Sequence, residues 1–557
     1  MNTVLTLHDP ATARRYYDQG LWRPDTFYSL LAGHAATRPD AFALRDSARR
    51  LTWREVKERT DAAAAAMHAA GIVRGQRVSL WQSNRIEAVI ALLACARNGY
   101  VCNPSLHLNY TGEEIIALLG RLRAAALVVE EGYGGADDAT LSAIEALPQI
   151  HRVFRLEPGR GDNAGFPTVE DAAAPAPDAD QSPDKVCYLA FTSGTTGTPK
   201  GVLHSDNTLL ANARDLVKDW GHGDHTVLLS LSPLSHHIAW VAVAQILICG
   251  GELAVNDPPA GMQPLDWIVE TGATYVMGVP THGMDILADQ KARGMDRIGK
   301  LEVFYMAGAP IPPVTAEAFL SQGIKPQNVY GMTENSSHQY TLPSDDPATI
   351  CTTCGRGGAS YTVRLFDQAD RDVQVAPGEI GQIGGKGACL TLGYFDNQEA
   401  TEDSFNRDGW FLSGDLGRFD EAGNLAIVGR MKDIIIRGGH NIHPAKIEDL
   451  AIKHPDVEKA AAFAVPDERL GERVGLAVLP SSGSAPAGLA VLDHLHDAGL
   501  SIYDMPEYYI AMEDFPLTAS GKILKRELAE WARSGRIKPA PVRFTDPAKR
   551  AAEPKES

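Results

Sequence analysis

The sequence predicts an α/β fold with two domains. The large N-terminal domain consists of α/β subdomains and a β-rich subdomain, and a small α+β domain follows it. Three observations lead to this prediction. Helix and strand signals alternate along the first half of the chain, which is typical of a sheet with helices on its faces. From Ala388 to Val428 the hydrophobic period shortens and turns appear, which indicates β-hairpins. With 557 residues, the chain is also too long for one hydrophobic core.

The first elements have clear local signals. Thr52 followed by Glu55 forms a capping box, which predicts a helix through an alanine-rich stretch to Gly71. The apolar runs that follow predict, in order, a strand at Arg77–Trp81, a helix at Glu87–Ala96 and a strand at Ala126–Val129. Alternating strands and helices of this kind indicate an α/β sheet.

A stretch rich in alanine, proline and aspartate precedes the next strand. Residues Pro167–Pro183 lack periodicity and are predicted as a linker or surface loop. The apolar run Val186–Phe191 then predicts a buried strand that leads into a cluster of glycine and hydroxyl residues. Open α/β sheets bind ligands where strands pass into loops, so we expect a ligand at this point. Two further buried strands are predicted at Thr274–Val279 and Val303–Met306.

Charge and hydropathy argue against several classes of partner. The net charge of -18 argues against a nucleic-acid partner, since such partners need clustered lysine and arginine. Residues Met1–Arg15 contain Asp9 and no apolar core segment, which predicts no signal peptide. The apolar run Ile238–Gly251 is shorter than the roughly 20 residues that span a bilayer. We therefore expect a cytoplasmic protein without stable membrane insertion, and its oligomeric state stays open, a homodimer included.

The seven cysteines are scattered and odd in number, which favours reduced thiols over a disulfide framework. Cys351 and Cys354 form a C-x-x-C pattern without a second pair. A structural role is therefore favoured over metal binding or redox chemistry for these two residues.

The strongest chemical signal is the run Thr-Ser-Gly-Thr-Thr-Gly-Thr-Pro-Lys-Gly from Thr192 to Gly201. Its glycines let the backbone approach an anion, its hydroxyls are short donors and Lys200 adds a positive charge, which together suit a polyphosphate. The run is not a Walker A motif, because glycine follows Lys200 and the G-x-x-x-x-G-K spacing is absent. A flexible surface turn is the alternative, but the run directly follows a predicted buried strand. The predicted nucleotide-binding residues of this run are Thr192, Ser193, Gly194, Thr195, Thr196, Gly197 and Lys200.

This run and several later motifs, in the same order along nearly the whole chain, resemble the adenylate-forming superfamily. That superfamily contains acyl-CoA synthetases, adenylation domains of peptide synthetases and luciferases, and the resemblance is closest to acyl-CoA synthetases. It implies that ATP converts a carboxylic acid to an acyl-adenylate, which a thiol then attacks to form a thioester. It also implies ATP, Mg²⁺ and coenzyme A as cofactors and a small carboxylic acid as substrate.

The second motif is the segment from Tyr330 to Glu334. In the family it closes over the nucleotide, with Thr333 donating to the α-phosphate. Glu334 is implied as the Mg²⁺ ligand, since a hard cation between phosphates prefers carboxylate oxygen. Upstream, Gly308-Ala309-Pro310 resembles the adenine-side segment, although each stretch alone could be an ordinary turn. The resemblance adds to the nucleotide-binding set Gly308, Ala309, Pro310, Asn328, Tyr330, Gly331, Met332 and Thr333.

Two charged residues resemble the ribose contacts of the family. Asp415 follows a Ser-Gly turn, and its carboxylate can accept hydrogen bonds from both ribose hydroxyls. Arg430 is expected beside the same sugar. Lys432 stands at the position of the family's hinge, so we predict a large domain of residues 1–431 and a small, mobile domain of residues 432–557.

The loop from Arg437 to His440 resembles the segment that admits the pantetheine arm of coenzyme A. The predicted contacts are Arg437, Gly438, Gly439 and His440, and only glycine allows such a close approach. His440 stands where the family commonly has glutamate, and Lys446 stands where another acid is frequent. These two departures weaken the inference for the contacts on the thiol side.

Near the C-terminus, the run Pro-Leu-Thr-Ala-Ser-Gly-Lys that ends at Lys522 matches the catalytic-lysine motif of the family. An ammonium group there can neutralise charge that develops between the carboxylate and the α-phosphate as pyrophosphate leaves. A solvated surface lysine is the usual alternative, which the preceding motifs make less favourable. The predicted catalytic set is Lys522, Thr333, Glu334 and Lys200.

The acid is the least constrained part of the prediction. Residues Pro233–Trp240 occupy the pocket-entry region of the family, where His236 stands at an aromatic or histidine position beside the acyl group. A structural histidine is the alternative for this residue. Apolar neighbours, among them Met306, favour a hydrophobic acid that is cyclic, aromatic or medium-chain. The predicted acyl pocket comprises His236, His237, Ala307 and Gly331.

Three other functions are compatible with parts of this pattern. A stand-alone amino-acid adenylation enzyme that loads a carrier-protein thiol usually has an aspartate just after the pocket-entry segment, and His236–Ala244 contains no acid. An acyl-AMP ligase would differ in ignoring coenzyme A. A non-catalytic nucleotide-binding relative would lack catalytic positions, yet Lys522, Glu334 and Asp415 are present. The identity of the acid and the choice between coenzyme A and a carrier-protein thiol stay open.

Overall fold

The computed structural model of the chain describes residues 6–161, 166–167, 175–192, 199–438, 440–481, 484–517 and 523–545. The chain divides into two compact units. The first unit consists of Met1–Val363, Gly385–Phe405 and Glu421–Leu425, and the second consists of Arg364–Gly384, Asn406–Asp420 and Ala426–Ser557. The mixed α/β fold predicted from the sequence is confirmed.

Helices and strands succeed one another along the described residues. The helices are α1 (Pro10–Asp18), α2 (Phe27–Thr37), α3 (Trp53–Ala69), α4 (Ile86–Asn98), α5 (Gly112–Leu122), α6 (Asp138–Glu145), α7 (Asp206–Trp220), α8 (His237–Cys249), α9 (Pro264–Thr271), α10 (Pro280–Ala292), α11 (Pro313–Leu320), α12 (Pro347–Thr352), α13 (Gln398–Asp403), α14 (Pro444–Ala451), α15 (Gly488–Asp497) and α16 (Lys525–Arg533). The strands are β1 (Phe42–Arg45), β2 (Arg50–Thr52), β3 (Arg77–Trp81), β4 (Val101–Asn103), β5 (Ala124–Glu130), β6 (Arg152–Leu156), β7 (Val186–Thr192), β8 (Lys200–Ser205), β9 (Val227–Ser230), β10 (Glu252–Ala254), β11 (Tyr275–Gly278), β12 (Val303–Ala307), β13 (Lys325–Met332), β14 (Ser336–Tyr340), β15 (Tyr361–Phe366), β16 (Gly381–Gly387), β17 (Phe411–Phe419), β18 (Leu425–Arg430), β19 (Ile435–Arg437), β20 (His440–Ile442), β21 (Val457–Asp467), β22 (Gly471–Pro480), β23 (Tyr508–Ala511) and β24 (Ala540–Pro541).

The capping box predicted at the start of α3 is present. The Thr52 hydroxyl accepts a hydrogen bond from the Glu55 N–H (3.3 Å), and the Glu55 carboxylate accepts one from the Thr52 N–H (2.7 Å). These two bonds satisfy backbone donors that the first helical turn leaves without partners. The bounds predicted for β3 are those observed, and α4, β5, β7, β11 and β12 overlap their predicted ranges.

The prediction of β-hairpins between residues 388 and 428 was incomplete. Strands β17 and β18 lie there, but so does helix α13. The Asn397 side chain caps this helix by accepting a hydrogen bond from the Ala400 N–H (3.0 Å). A single short helical turn with a side-chain cap leaves too little periodicity to be recognised in the sequence.

The first unit contains two largely parallel sheets. Their strand orders are β14-β13-β12-β11-β9-β10-β1-β2 and β6-β5-β3-β4-β7-β8. One core cluster combines buried residues from strands of both sheets with residues of α3, α4, α7 and α8. Helix α4 has buried residues around nearly its whole circumference, which explains why its sequence is apolar on all faces.

The second unit contains the strands of a six-stranded sheet with the order β20-β19-β22-β23-β24, in which β21 pairs with β22. Its buried apolar residues form two clusters. Residues of α14 and α15 contribute to the first cluster, and residues of α16 and β21 contribute to the second. Residues 361 to 430 contain a further four-stranded sheet with the order β15-β16-β17-β18. Among the described residues, no helix combines the length and the apolar character that crossing a bilayer requires.

Two further predictions concern loops and thiols. Residues 175–183 form neither helix nor strand, as predicted for this stretch, and residues 168–174 lie outside the described residues. Backbone hydrogen bonding ties the described part to α4, since the Asp180 N–H donates to the Arg97 carbonyl (2.7 Å). All seven cysteines are free thiols, in agreement with the prediction.

A buried network of opposite charges stabilises the first unit. Arg49 and Arg85 both donate to the Glu87 carboxylate, at 2.6 and 2.8 Å, and the Arg85 side chain is completely buried. Arg49 also pairs with Asp46. Burial opposes the charge of Glu87, but the hydrogen bonds from the two arginines outweigh it and lower the pKa of Glu87 to about 2. Removing this carboxylate would take an opposite charge away from two buried guanidinium groups, which destabilises the fold.

We expect Glu87→Gln to lower the free energy of unfolding by about 3 kcal/mol at pH 7, because one unit of pKa shift is worth ~1.4 kcal/mol. The folded-state pKa is below the unfolded value, so this contribution is complete above about pH 4.5 and is lost as the pH falls toward 2. Urea unfolding of both proteins from pH 7 to pH 3 measures it. Glu270→Gln is the matched control, since its ion pair with Arg45 is exposed and is worth at most about 1 kcal/mol. A deficit that stays constant across this pH range would contradict the prediction.

Candidate active site

The hydroxyl-rich run lies between two paired strands of the first unit. Strands β7 and β8 are antiparallel, and their register places Thr192 opposite Lys200 and Phe191 opposite Gly201. The predicted contacts Ser193, Gly194, Thr195, Thr196 and Gly197 lie outside the described residues. The two predicted contacts of this run that the structure describes, Thr192 and Lys200, are therefore held side by side where β7 ends and β8 begins.

The second motif forms the turn between β13 and β14. Gly331 is exposed, and a Cβ atom there would lie 1.7 Å from the Ser336 carbonyl oxygen, so no larger residue fits without moving the backbone. Ser336 itself has a φ of 55°, in the left-handed region. The Asn335 side chain accepts a hydrogen bond from the Met332 N–H (3.1 Å) across the turn. This tight turn presents Thr333 and Glu334 at its tip.

Glu334 is held by two contacts from residues 391–395. The Thr391 N–H donates to the Glu334 carbonyl (2.6 Å), and the Tyr394 hydroxyl donates to the Glu334 carboxylate (3.0 Å). Burial, and then the Glu334 charge, raise the pKa of Tyr394, so its hydroxyl stays protonated and remains a donor. The Lys200 ammonium lies 4.5 Å from the centre of the Tyr394 ring. The first unit thus brings the predicted cation Lys200 and the predicted metal ligand Glu334 to the same tyrosine.

His204, on β8, contacts the backbone carbonyl of Thr333. His204 Nε2 lies 2.6 Å from the Thr333 carbonyl oxygen, and His204 Nδ1 lies 2.9 Å from the Thr208 hydroxyl. Burial lowers the pKa of His204 to about 4, so the ring is neutral at pH 7. Because a carbonyl can only accept, Nε2 carries the proton, and Nδ1 accepts from Thr208. His204 thus supplies one of the hydrogen bonds that hold the backbone of this turn.

The adenine-side residues follow strand β12. Gly308, Ala309 and Pro310 are exposed, and Gly308 has a φ of 93°, which favours glycine. Asn328 lies on the adjacent strand β13, where its buried side-chain amide donates to the Ile350 carbonyl (2.9 Å). The Asn328 amide is thus engaged with the protein backbone.

The predicted acyl-pocket histidines make different contacts. His237 Nε2 lies 3.0 Å from the Ser336 hydroxyl, and His237 Nδ1 lies 3.2 Å from the Tyr188 hydroxyl. Its ring also stacks on His204 at 5.5 Å, and burial followed by His204 lowers the pKa of His237 well below its usual value. The structure therefore places a neutral His237 beside the turn that contains Gly331.

His236 instead stacks on His107, with 4.5 Å between ring centres. His107 Nδ1 lies 2.9 Å from the Ser235 hydroxyl, and burial, then His236, lower the pKa of His107 to about 3. Ala307 and Met306 are buried on β12, where Ala307 pairs in register with Val329. These contacts give the predicted pocket residues apolar and uncharged neighbours.

In the second unit, the two predicted ribose contacts meet. Asp415 on β17 is buried, and its carboxylate pairs with the half-exposed guanidinium of Arg430 at the end of β18 (3.0 Å). Lys432 lies in the 3-10 turn Met431–Asp433 that follows. The motif residues Thr518–Lys522 lie outside the described residues, while Leu517 and Ile523 on either side form a β-bridge.

The predicted coenzyme A loop lies between β19 and β20 of the same unit. Arg437 pairs in register with His440, and Gly438 has a φ of 58°. Gly439 lies outside the described residues. The Arg437 guanidinium pairs with Glu507 (3.2 Å), which holds it at the base of the loop.

The two unusual residues of this region share one acidic partner. His440 Nε2 lies 2.9 Å from the Asp504 carboxylate, and the Lys446 ammonium lies 3.1 Å from it. An acid therefore does face both positions, but it comes from a segment that follows α15. The sequence around Asp504 has no local spacing that distinguishes it from an ordinary loop aspartate.

Sequence reasoning also missed Tyr394, Thr391 and His204. Tyr394 meets Glu334 across 60 residues of chain, and His204 meets Thr333 across 129. No local pattern could have indicated these contacts. Among the described residues, no group of three or more histidine, cysteine, aspartate or glutamate side chains suits a metal ion. Glu334 fits Mg²⁺, which proteins commonly hold through one or two carboxylates together with substrate phosphates.

Known protein families match both parts of the chain. Residues 31–395 match the family described as AMP-binding enzyme, and residues 446–522 match the AMP-binding enzyme C-terminal domain. The chain is 28% identical over 533 residues to the medium-chain fatty-acid–CoA ligase of Escherichia coli (strain K12), covering 94% of this chain and 93% of the relative. It is 30% identical to the 2-hydroxy-7-methoxy-5-methyl-1-naphthoate–CoA ligase of Streptomyces carzinostaticus, covering 94% and 96%. The crystal structure of ATP-bound MatB from Rhodopseudomonas palustris superposes with a TM-score of 0.79 at 28% identity, covering 91% of this chain and 99% of that one.

Proposed function

This chain belongs to the AMP-binding enzyme family, and from that premise we propose that it activates a hydrophobic carboxylic acid with ATP and transfers the acyl group to coenzyme A. The chain is an AMP-forming acid–CoA ligase. Beyond this activity, we propose the class of acid, the roles of the active-site residues and the order of the two half-reactions. The single observation that supports it best is the convergence of Lys200 and Glu334 on Tyr394, at the end of the hydroxyl-rich run.

The first proposed step forms an acyl-adenylate. A carboxylate oxygen attacks the α-phosphorus of ATP, a new P–O bond forms, and the bond to the departing pyrophosphate breaks. Lys200 would offset charge on the phosphates, and Thr333 would donate to the α-phosphate through its hydroxyl. Asp415 and Arg430 would contact the ribose, and Lys522 would neutralise charge between the acid and the α-phosphate.

Glu334 would hold Mg²⁺ in this scheme. When bound, Mg²⁺ supplies neutralisation of charge on the phosphate oxygens. The residue itself is buried, and its carboxylate accepts a hydrogen bond from the Tyr394 hydroxyl. Such orientation of a metal-binding carboxylate by a hydrogen-bond donor is a common feature of metal sites.

The second proposed step forms the thioester. The thiol of coenzyme A releases its proton to solvent and attacks the acyl carbon. The C–S bond forms, the bond between the acyl carbon and the bridging oxygen breaks, and AMP leaves with that oxygen. Arg437, Gly438, Gly439 and His440 would border the pantetheine arm. We retain residues 1–431 and 432–557 as the proposed domains and Lys432 as their proposed hinge, which would exchange Lys522 for this loop between the steps.

The class of acid is proposed from the pocket residues and the relatives. His237 is neutral beside Ser336, and Met306 and Ala307 are buried and apolar. The two relatives are named as ligases of a medium-chain fatty acid and of a substituted naphthoate. A hydrophobic cyclic, aromatic or medium-chain acid fits these observations.

A panel of acids tests the proposal. We expect cyclic, aromatic and medium-chain acids to exceed acetate by at least about 100-fold in kcat/KM for pyrophosphate release, since each buried methylene is worth ~0.8 kcal/mol. Amino acids of similar size are the matched controls and should react poorly. Pyrophosphate release and thioester are measured with and without coenzyme A. Adenylation without any coenzyme A thioester would favour an acyl-AMP ligase or a carrier-protein acceptor, and a preference for acetate would contradict the proposed acid class.

A further inference from the structure

The segment 391–395 joins the two nucleotide motifs of the first unit. Three backbone hydrogen bonds of 2.7 to 3.0 Å pair it with Gly201 and Leu203, so it lies along the edge of β8 that does not face β7. A β-bridge between Val202 and Tyr394 continues this pairing. The segment is therefore fixed to the strand that begins with Lys200.

The same segment is fixed to the second motif. Its first residue, Thr391, donates from its backbone to the Glu334 carbonyl, and its hydroxyl donates to the Leu203 carbonyl (2.8 Å). The Tyr394 N–H donates to the Thr401 hydroxyl (3.0 Å), which limits movement of the tyrosine backbone. A strand with a cation and a turn with a carboxylate are thus connected by five residues that belong to neither.

Tyr394 uses two different parts of its side chain in this arrangement. Its hydroxyl donates to one oxygen of the Glu334 carboxylate. Its ring faces the Lys200 ammonium, and such cation–π contacts orient an ammonium group. Replacing the tyrosine by phenylalanine removes the hydroxyl and keeps the ring. The tyrosine is largely buried, so neither contact is that of a freely rotating surface residue.

We propose that Tyr394 is a positioning residue with two separable effects: its hydroxyl orients Glu334 for Mg²⁺, and its ring holds Lys200 for the phosphates of ATP. This inference rests on the proposed function, in which Glu334 is the metal ligand and Lys200 a phosphate contact. The two effects predict different consequences for removing the hydroxyl and for removing the whole ring.

Calorimetric titration of ATP into the full chain, in EDTA and over a series of Mg²⁺ concentrations, tests the inference without relying on turnover. We expect Tyr394→Phe to raise the half-saturating Mg²⁺ concentration about tenfold, as for other residues that orient metal ligands, and to leave ATP binding in EDTA unchanged. Tyr394→Leu should show the same Mg²⁺ defect and should also weaken ATP binding in EDTA roughly threefold, because the ammonium loses its ring.

Two further variants make the result decisive. Tyr100→Phe is the matched control, since it removes a buried phenol hydrogen bond to the Ile72 carbonyl (3.0 Å), a residue of neither motif, and it should match wild type with and without Mg²⁺. Glu334→Gln should raise the half-saturating Mg²⁺ concentration at least as much as Tyr394→Phe.

The outcomes separate this inference from the proposed function. If Glu334→Gln changes the Mg²⁺ dependence and Tyr394→Phe does not, the inference is overturned and the proposed metal ligand stands. An equal loss of ATP affinity for Tyr394→Phe with and without Mg²⁺ also overturns it, since that is the result of a general structural role. If Glu334→Gln has no effect on the Mg²⁺ dependence, or the wild-type chain binds no ATP, the proposed function itself fails.

Discussion

Lys522→Ala is expected to slow acyl-adenylate formation by about 10²–10³-fold, the range observed when one preorganised electrostatic contact is removed from a transition state. The step that Lys522 is proposed to assist is the departure of pyrophosphate, during which negative charge accumulates between the acid and the α-phosphate. Thioester formation from supplied acyl-adenylate has no pyrophosphate to release. We therefore expect this second step to change little in the variant.

Two assays separate the half-reactions of Lys522→Ala. Pyrophosphate release is followed with acid and ATP, and thioester formation is followed with synthetic acyl-adenylate and coenzyme A. Lys538→Ala is the control, because this exposed lysine near the C-terminus lies in no motif and should leave both rates unchanged. Equal losses in both half-reactions would show that Lys522 does not have the proposed role.

Gly331→Ala is expected to lower kcat/KM for adenylation by about 100-fold, since displacements of ~1 Å in a catalytic group can cost this much. The added Cβ would lie 1.7 Å from the Ser336 carbonyl oxygen and 2.8 Å from the Ser336 carbonyl carbon. Both atoms belong to the backbone, so the β13–β14 turn has to open. That movement displaces Thr333 and Glu334, and the strain should cost about 1–3 kcal/mol of stability.

Adenylation kinetics and thermal unfolding check the prediction for Gly331. Gly33→Ala is the matched control, because this glycine lies within helix α2 and a Cβ there would meet no atom within 4 Å. We expect Gly33→Ala to keep full activity and to stabilise the chain by about 0.5–1 kcal/mol, as alanine does within helices. Activity of Gly331→Ala within twofold of wild type would mean that the turn tolerates opening.

Several elements of the first unit were predictable because their signals are local. The capping box of Thr52 and Glu55 lies within four consecutive residues, and the apolar run of β3 lies within five. Helix α13 was missed for the same reason, since its six residues are too few to establish a period. Prediction therefore succeeded where one element carries its own pattern and failed where the element is shorter than that pattern.

The C-terminal loop illustrates a different limit. The sequence identified His440 and Lys446 as departures from the usual acids but could not say what they contact. The structure pairs both with Asp504, which is 64 and 58 residues away, so an acid is supplied from another segment. A charge partner at that distance has no fixed spacing along the chain, and one sequence alone does not reveal it.

By itself, the sequence determined the fold class and the elements with strong local signals, such as α3, β3 and β7, but not β8, β13 or β14, which flank the nucleotide motifs. It also indicated which residue types suit ATP and Mg²⁺. These properties depend on neighbours within a few positions, such as apolar periods, caps and runs of glycine and hydroxyl residues. Only the tertiary structure decided that Tyr394 connects Lys200 with Glu334 and that His204 holds Thr333. Those contacts arise when sheet pairing brings distant segments together, and the free energy that selects them comes from packing and hydrogen bonds across the whole unit rather than from local order.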